Sequence, residues 1–175
     1  MNKKIKIGVV GYSGKSFPIF EASEKFIEAL SEAMEGHKMY YSSKNGRWIC
    51  VSNGDDCSDI WDFKYPNIEI VSGYTDRGIP ALSYVLAKLY CKTFHGYIDF
   101  TTTGFAPKKA LSDKRCKVDK EIIVGENFGD ESEAFVDYVD VLIKIGGGEQ
   151  SIKEFALFKK KKPNNLAIEK KLIHY

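Results

Sequence analysis

Residues 146–154 read Gly-Gly-Gly-Glu-Gln-Ser-Ile-Lys-Glu, which sets three glycines, a hydroxyl, an amide and two carboxylates within nine positions. Glycines between a strand and a helix let backbone N–H groups approach a phosphate closely, and the positive end of the helix favours the negative charge. The context fits that chemistry: the apolar run 139–145 (VDVLIKI) precedes the glycines, and Ile152, Phe155 and Ala156 follow at helical spacing. Gly146, Gly147, Gly148, Gln150 and Ser151 are therefore candidate ligand-binding residues. Two other glycine turns have the same character. One carries Gly11, Ser13, Gly14 and Lys15; the other carries Gly73, Thr75, Arg77 and Gly78. Thr102, Thr103 and Gly104 are expected to add a polar wall.

Other chemistries fit less well. A P-loop needs GxxxxGK followed by Ser or Thr, and counting back from Gly14 places Val9 where the first glycine must stand. Gly-Tyr-Ser-Gly lacks the GxSxG spacing of a nucleophile elbow, so Ser13 is read as a phosphate-contacting hydroxyl. His37, His95 and His174 sit at no ligand spacing, and Cys50, Cys57, Cys91 and Cys116 match neither a zinc pattern nor CxxC. No metal and no cofactor is expected.

The elements that would position these residues alternate. Strands are expected at 5–10, 68–72, 97–101, 121–124 and 139–145, with an edge strand at 166–168. Helices are expected from Ile19 to Gly36, from Pro80 through Leu89, around Phe135 and Val136, and after Ser151. Strands alternating with helices imply a mostly parallel sheet covered on both faces, a Rossmann-like α/β fold. The ligand crevice of such a sheet lies outside the carboxyl ends of the strands, where the glycine turns gather. Residues 38–66 depart from the rhythm: two β-rich runs flank Asn45-Gly46, a hairpin signal, and are read as an inserted hairpin plus loop. Its Tyr40, Tyr41, Trp48 and Trp61 suit a lid over a base, an interface with a second subunit, or simple packing on the domain.

The 175 residues are read as one domain, 1–175, able to bury roughly 70% of the unfolded surface. Hydrophobic residues at 43% and charged residues at 29% exclude a disordered chain. A net charge of +2 gives no argument for a nucleic-acid partner. The basic run 159–162 falls at a helix end, where cations suit the dipole. No stretch approaches the ~20 apolar residues of a membrane span, and the N-terminus lacks a signal-peptide core, so a cytoplasmic location is expected.

Four segments in order, GVVGYSG, VSGYTDRGIPAL, YIDFTTTGFAP and GGEQSIKE, resemble the SLOG superfamily of Rossmann-like domains, which includes the LOG phosphoribohydrolases. The last is similar to the signature GGxGTxxE, and the set spans residues 5–158. The resemblance implies that Glu154 belongs to catalytic machinery near a ribose and that Ser151 stands for the signature's threonine. It also implies a homodimer. Gln150 replaces a signature glycine, and Gly146 replaces the preceding proline. The resembling hydrolases carry an arginine in the helix before the signature strand, and 130–135 (DESEAF) has none. Arg77, Lys15 or Arg115 would have to supply that charge. The expectation is a domain that binds a nucleotide or nucleotide-derived ligand as a sensor or sequestering protein. The alternative is a hydrolase that cleaves nucleoside 5'-monophosphates to free base and ribose 5-phosphate, with Glu154 and Arg77 as its catalytic residues.

Overall fold

The computed structural model describes residues 4–14, 16–33, 37–42, 47–52, 55–56, 68–93 and 100–173. Nine strands and four helices occur among them: β1 (Ile5–Gly11), α1 (Ile19–Ala33), β2 (His37–Ser42), β3 (Arg47–Ser52), β4 (Asp55–Asp56), β5 (Ile68–Gly73), α2 (Gly78–Thr93), β6 (Phe100–Ala106), β7 (Lys120–Ile123), α3 (Ser132–Tyr138), β8 (Val141–Ile145), α4 (Glu149–Lys161) and β9 (Ala167–Lys170). A 3-10 turn, Lys108–Ser112, follows β6.

Six strands form one all-parallel sheet in the order β7-β6-β5-β1-β8-β9. The order reverses at β1, which pairs with β5 on one side and β8 on the other. This is the Rossmann-like α/β architecture anticipated from the alternation. Strands buried on both faces appear as continuous apolar runs rather than alternating ones. All of β8, VLIKI, is accordingly buried.

Two apolar layers flank the sheet. On one side Phe26, Ala29 and Leu30 of α1 and Ile79 and Tyr84 of α2 close over Ile7, Val9, Ile70 and Ile143. On the other, Phe135 and Val136 of α3 and Phe155 and Phe158 of α4 cover Val10, Val71 and Leu142. Burying each such side chain contributes about 1.5–3 kcal/mol. The helical spacing that the sequence shows in 19–33 thus marks a core-facing stripe.

β2 and β3 pair antiparallel from His37–Ser52 to Ser42–Arg47, with β4 added to β3. This is the inserted hairpin; its Asn45-Gly46 centre, Trp61 and most of the loop that follows lie outside the described residues. Gly36, expected to end α1, also lies outside them. The third parallel strand needs a correction. The sequence reading ended it at Thr101, whereas β6 runs on to Ala106, so 102–104 are strand and not loop. The reason is local: the hydroxyls that made this stretch look like a polar loop find partners inside the protein. Thr102 donates from N and Oγ1 to Asp119 Oδ2 at 2.8 and 2.7 Å, and Thr103 Oγ1 donates to Glu69 Oε1.

Candidate functional site

β1 and β8 end side by side, and their chains then turn to opposite faces of the sheet, α1 to one and α4 to the other. Ligands of open α/β sheets bind in the crevice at such a reversal. A cleft of about 430 Å³ opens there. Gly11, Tyr12 and Ser13 come to it from β1; Gly73, Tyr74, Thr75, Arg77 and Pro80 from the turn after β5; Phe105, Ala106 and Pro107 from the end of β6; and Gly148, Glu149, Gln150, Ser151 and Glu154 from α4. The sequence-derived residues brought together are therefore Gly11, Ser13, Gly73, Thr75, Arg77, Gly148, Gln150, Ser151 and Glu154.

The others lie elsewhere or serve the walls. Thr102 and Thr103 are buried in β6, and Gly104 packs under the Tyr74 ring. Gly146 and Gly147 border a separate depression on the far side of their turn, with Lys144, Glu169 and Leu172. Gly14 lies against the Tyr12 ring. Lys15 is outside the described residues. Gly78 has φ +61°, and a Cβ there would fall 2.1 Å from the Tyr12 carbonyl oxygen. Only glycine lets the second turn press this closely onto the first.

Four amides in and after the turn that follows β5 are engaged within the protein. Tyr74 N–H donates to Phe105 O, Thr75 N–H to Gly73 O, Asp76 N–H to Lys114 O and Ile79 N–H to Tyr12 O. Pro80, in the first turn of α2, has no N–H to offer. Donors for an anion come instead from the first turn of α4, where Glu149, Gln150 and Ser151 carry amides with no acceptor inside the helix. The Ser151 hydroxyl, 4% exposed, accepts from Gly148 N–H and donates to Gly148 O, both at 2.9 Å, which fixes the start of that helix. The guanidinium of Arg77 is half exposed, with Nε 3.7 Å from Asp76 Oδ1.

The two anticipated residues Gln150 and Glu154 are joined in the cleft by one that sequence reasoning missed. Glu131, immediately before α3, is 7% exposed and lines the cleft beside the equally buried Glu154. Gln150 Nε2 lies 2.9 Å from Glu131 Oε1 and 3.0 Å from Glu154 Oε1. Ser132 Oγ donates to Glu154 Oε1 at 2.7 Å, and Gly129 N–H donates to Glu131 Oε2 at 2.9 Å. Burial raises the Glu154 carboxyl above the usual glutamate range; the Ser132 and Gln150 hydrogen bonds act against this, and the charge of Glu131 acts with it. The signal for Glu131 was present in the acidic run 130–133, but nothing in sequence says which of its carboxylates turns inward. Phe128, 57% exposed, and Asp113 also line the cleft without having been anticipated.

Among the described residues no group of three or more His, Cys, Asp or Glu is placed to hold a metal ion, and no helix is long and apolar enough to cross a membrane. Cys116 is a free thiol.

Fold and site together define a Rossmann-like α/β protein with a ligand-sized cleft at the reversal of strand order. No family model matches the chain, and no curated protein matches it. Among solved structures it is similar to the molybdenum cofactor binding protein of the phototrophic bacterium Rippkaea orientalis, with a TM-score of 0.57 at 18% identity over 98% of this chain and 80% of that one. It is also similar to TM1055, a target of the Northeast Structural Genomics Consortium, with a TM-score of 0.52 at 17% identity over 90% of this chain and 69% of that one. At these identities the likeness establishes the fold.

Proposed function

We propose that the chain is a SLOG-type domain whose cleft holds a nucleotide or nucleotide-derived ligand, and that it acts as a sensor or sequestering protein. The observation that carries this reading is the meeting, in one cleft, of the unengaged first-turn amides of α4 with the buried carboxyl of Glu154. Amides at a helix start suit a phosphate. Carboxylates suit sugar hydroxyls, and the exposed face of Phe128 suits a planar base. The volume falls within the range of small-molecule sites, about 300–1,000 Å³. The fold's likeness to a protein described as binding molybdenum cofactor agrees with a small-molecule ligand.

Binding is favoured over turnover by the character of the α3 wall. Where the resembling hydrolases carry an arginine before the signature strand, the residue facing the cleft here is Glu131. A carboxylate cannot polarise a phosphate-bearing substrate as a guanidinium does.

One observation favours the hydrolytic reading. Glu154 is a buried carboxyl raised by its surroundings, the state expected of a general acid or base that orients and activates water. Purified protein incubated with nucleoside 5'-monophosphates separates the two. Saturable binding in calorimetry without release of free base is the expected result; base release assigns the hydrolase, and no binding at all removes both. Native mass spectrometry of protein taken directly from cells should show a co-purified nucleotide. The proposal includes a single domain over 1–175 with 38–66 as an insertion, and a cytoplasmic homodimer, for which light scattering is the direct measurement.

A further inference from the structure

The charges that line the cleft do not balance. Among the described residues its walls carry four carboxylates, Asp113, Glu131, Glu149 and Glu154, and one guanidinium, Arg77. Glu149 is paired with Lys153 at 2.6 Å, and Arg77 stands beside Asp76. Asp113, Glu131 and Glu154 have no ion-pair partner among the described residues, and the two glutamates are each only 7% exposed. Ser132, Gln150 and Gly129 donate hydrogen bonds to these glutamates, which satisfies lone pairs and leaves the charge in place. Oε2 of Glu154 receives no hydrogen bond from the described residues at all. A buried charge is offset by one of opposite sign, and the described walls leave that part to the ligand.

The same corner carries an aromatic face. Gly129, next to Phe128, donates to Glu131 Oε2, so the ring and this carboxylate reach the cleft together. The ring, 57% exposed, sits on a braced turn: Gly125 and Gly129 take φ of +77° and +97°, and Asp130 Oδ2 accepts from the amides of Glu126 and Asn127 at 2.9 Å. One cation, Lys109, already lies 6.0 Å from the ring centroid without lining the cleft. Aromatic faces beside carboxylates recognise organic cations, because the ring quadrupole and the anion attract the same charge. Among the described residues no three acidic groups are placed to hold a metal ion instead.

We propose that the ligand carries a positively charged planar base, a pyridinium or an N-alkylated heteroaromatic ring, which lies against Phe128 with Glu131 and Asp113 as its counter-charges. Phe128 and Glu131 are then specificity-determining residues of the cleft. The inference rests on the nucleotide reading above and deepens it by naming the class of base: the ligand is a nucleotide that is cationic at one end and anionic at the other.

Calorimetry with nicotinamide mononucleotide and with its reduced form tests this, since the two share sugar, phosphate and carboxamide and differ in the charge of the ring. An ordinary ribonucleoside 5'-monophosphate completes the set. The oxidised form should bind about tenfold or more tightly than the reduced one. Glu131→Gln should weaken the oxidised form by about tenfold while leaving the reduced form within about threefold. Phe128→Leu, which keeps an apolar side chain and removes the ring, should narrow the ratio by about threefold or more; because Phe128 is exposed, this variant keeps the test independent of any folding defect in the first. Equal binding of the oxidised and reduced forms, a ratio unmoved by both substitutions, or binding of the ordinary monophosphate alone overturns the charged base and leaves the nucleotide reading standing. No binding by any of the three ligands overturns both.

Discussion

Glu154 joins protonation to folding. Its folded-state pKa lies above the unfolded value, so over the interval between them the native protein holds a proton that the unfolded chain has released. Stability from this source is complete below the unfolded pKa and is lost as pH rises through the folded one. Glutamine at 154 keeps an oxygen to accept from Ser132 and Gln150 and has nothing to titrate. The melting temperature of Glu154→Gln relative to the natural protein should therefore climb as pH rises from about 4 to about 8. Thermal unfolding across that range checks it, and a constant difference between the two proteins would mean that burial does not perturb this carboxyl. Gly78 offers a second test at this scale. Alanine there must take a left-handed conformation at about 1–3 kcal/mol and also collide with the Tyr12 carbonyl. Denaturant unfolding should show a loss of at least about 2 kcal/mol with an unchanged slope.

The elements were legible to different degrees, and the differences have physical causes. β1, β5 and β8 were evident because a parallel strand covered on both faces needs an uninterrupted apolar run. α1 and α4 were evident from their spacing. β6 was cut short in the reading because Thr102, Thr103 and Gly104 look like turn residues, yet Asp119, Glu69 and the Tyr74 ring complete them in three dimensions. Glycine turns could be found, but whether their amides are free could not, since the acceptors for Tyr74, Asp76 and Ile79 come from distant segments. Glu131 escaped for a related reason: a short helix such as α3 has little periodicity to orient its first turn. Tyr84 shows what tertiary context adds. Its hydroxyl, on α2, donates to Ser72 O at 2.8 Å, with Gly73 O and Thr103 O at 3.2 and 3.1 Å, and so ties the helix to the end of β5 and the middle of β6. Removing that hydroxyl in Tyr84→Phe should cost about 1–2 kcal/mol in denaturant unfolding, with the ring's packing retained.

At the scale of the whole molecule, the centre of the sheet is made by chain segments far apart in sequence. β1 pairs with β8 from Ile7–Val141 to Gly11–Ile145, and Asp140 binds the Lys6 amide through its carboxylate at 3.1 Å. A chain ended at residue 130 would lose α3, β8, α4 and β9 together, bare one edge of β1, and strip Val10, Val71 and Phe105 of their cover. Such a fragment should show no cooperative melt and a collapsed amide spectrum by NMR; a folded fragment would mean that residues 1–130 are an autonomous unit. The strand order responsible for this was not in the sequence, because apolar runs announce strands without naming their neighbours.

The engagement of most amides after β5 also bears on how much phosphate the proposed site could hold. A pyrophosphate needs two sets of donors, one for each phosphorus, and the first turn of the helix that would have served the second, Gly78-Ile79-Pro80, contains a carbonyl-bound isoleucine amide and a proline. Beyond the first phosphoryl group, further negative charge would meet Asp113 and Glu149 with Arg77 as its counter-ion. On the proposed nucleotide reading, the donors on this side of the cleft are few, and the protein should prefer monophosphates to their longer relatives, which calorimetry with a mono- and a diphosphate of the same nucleoside checks.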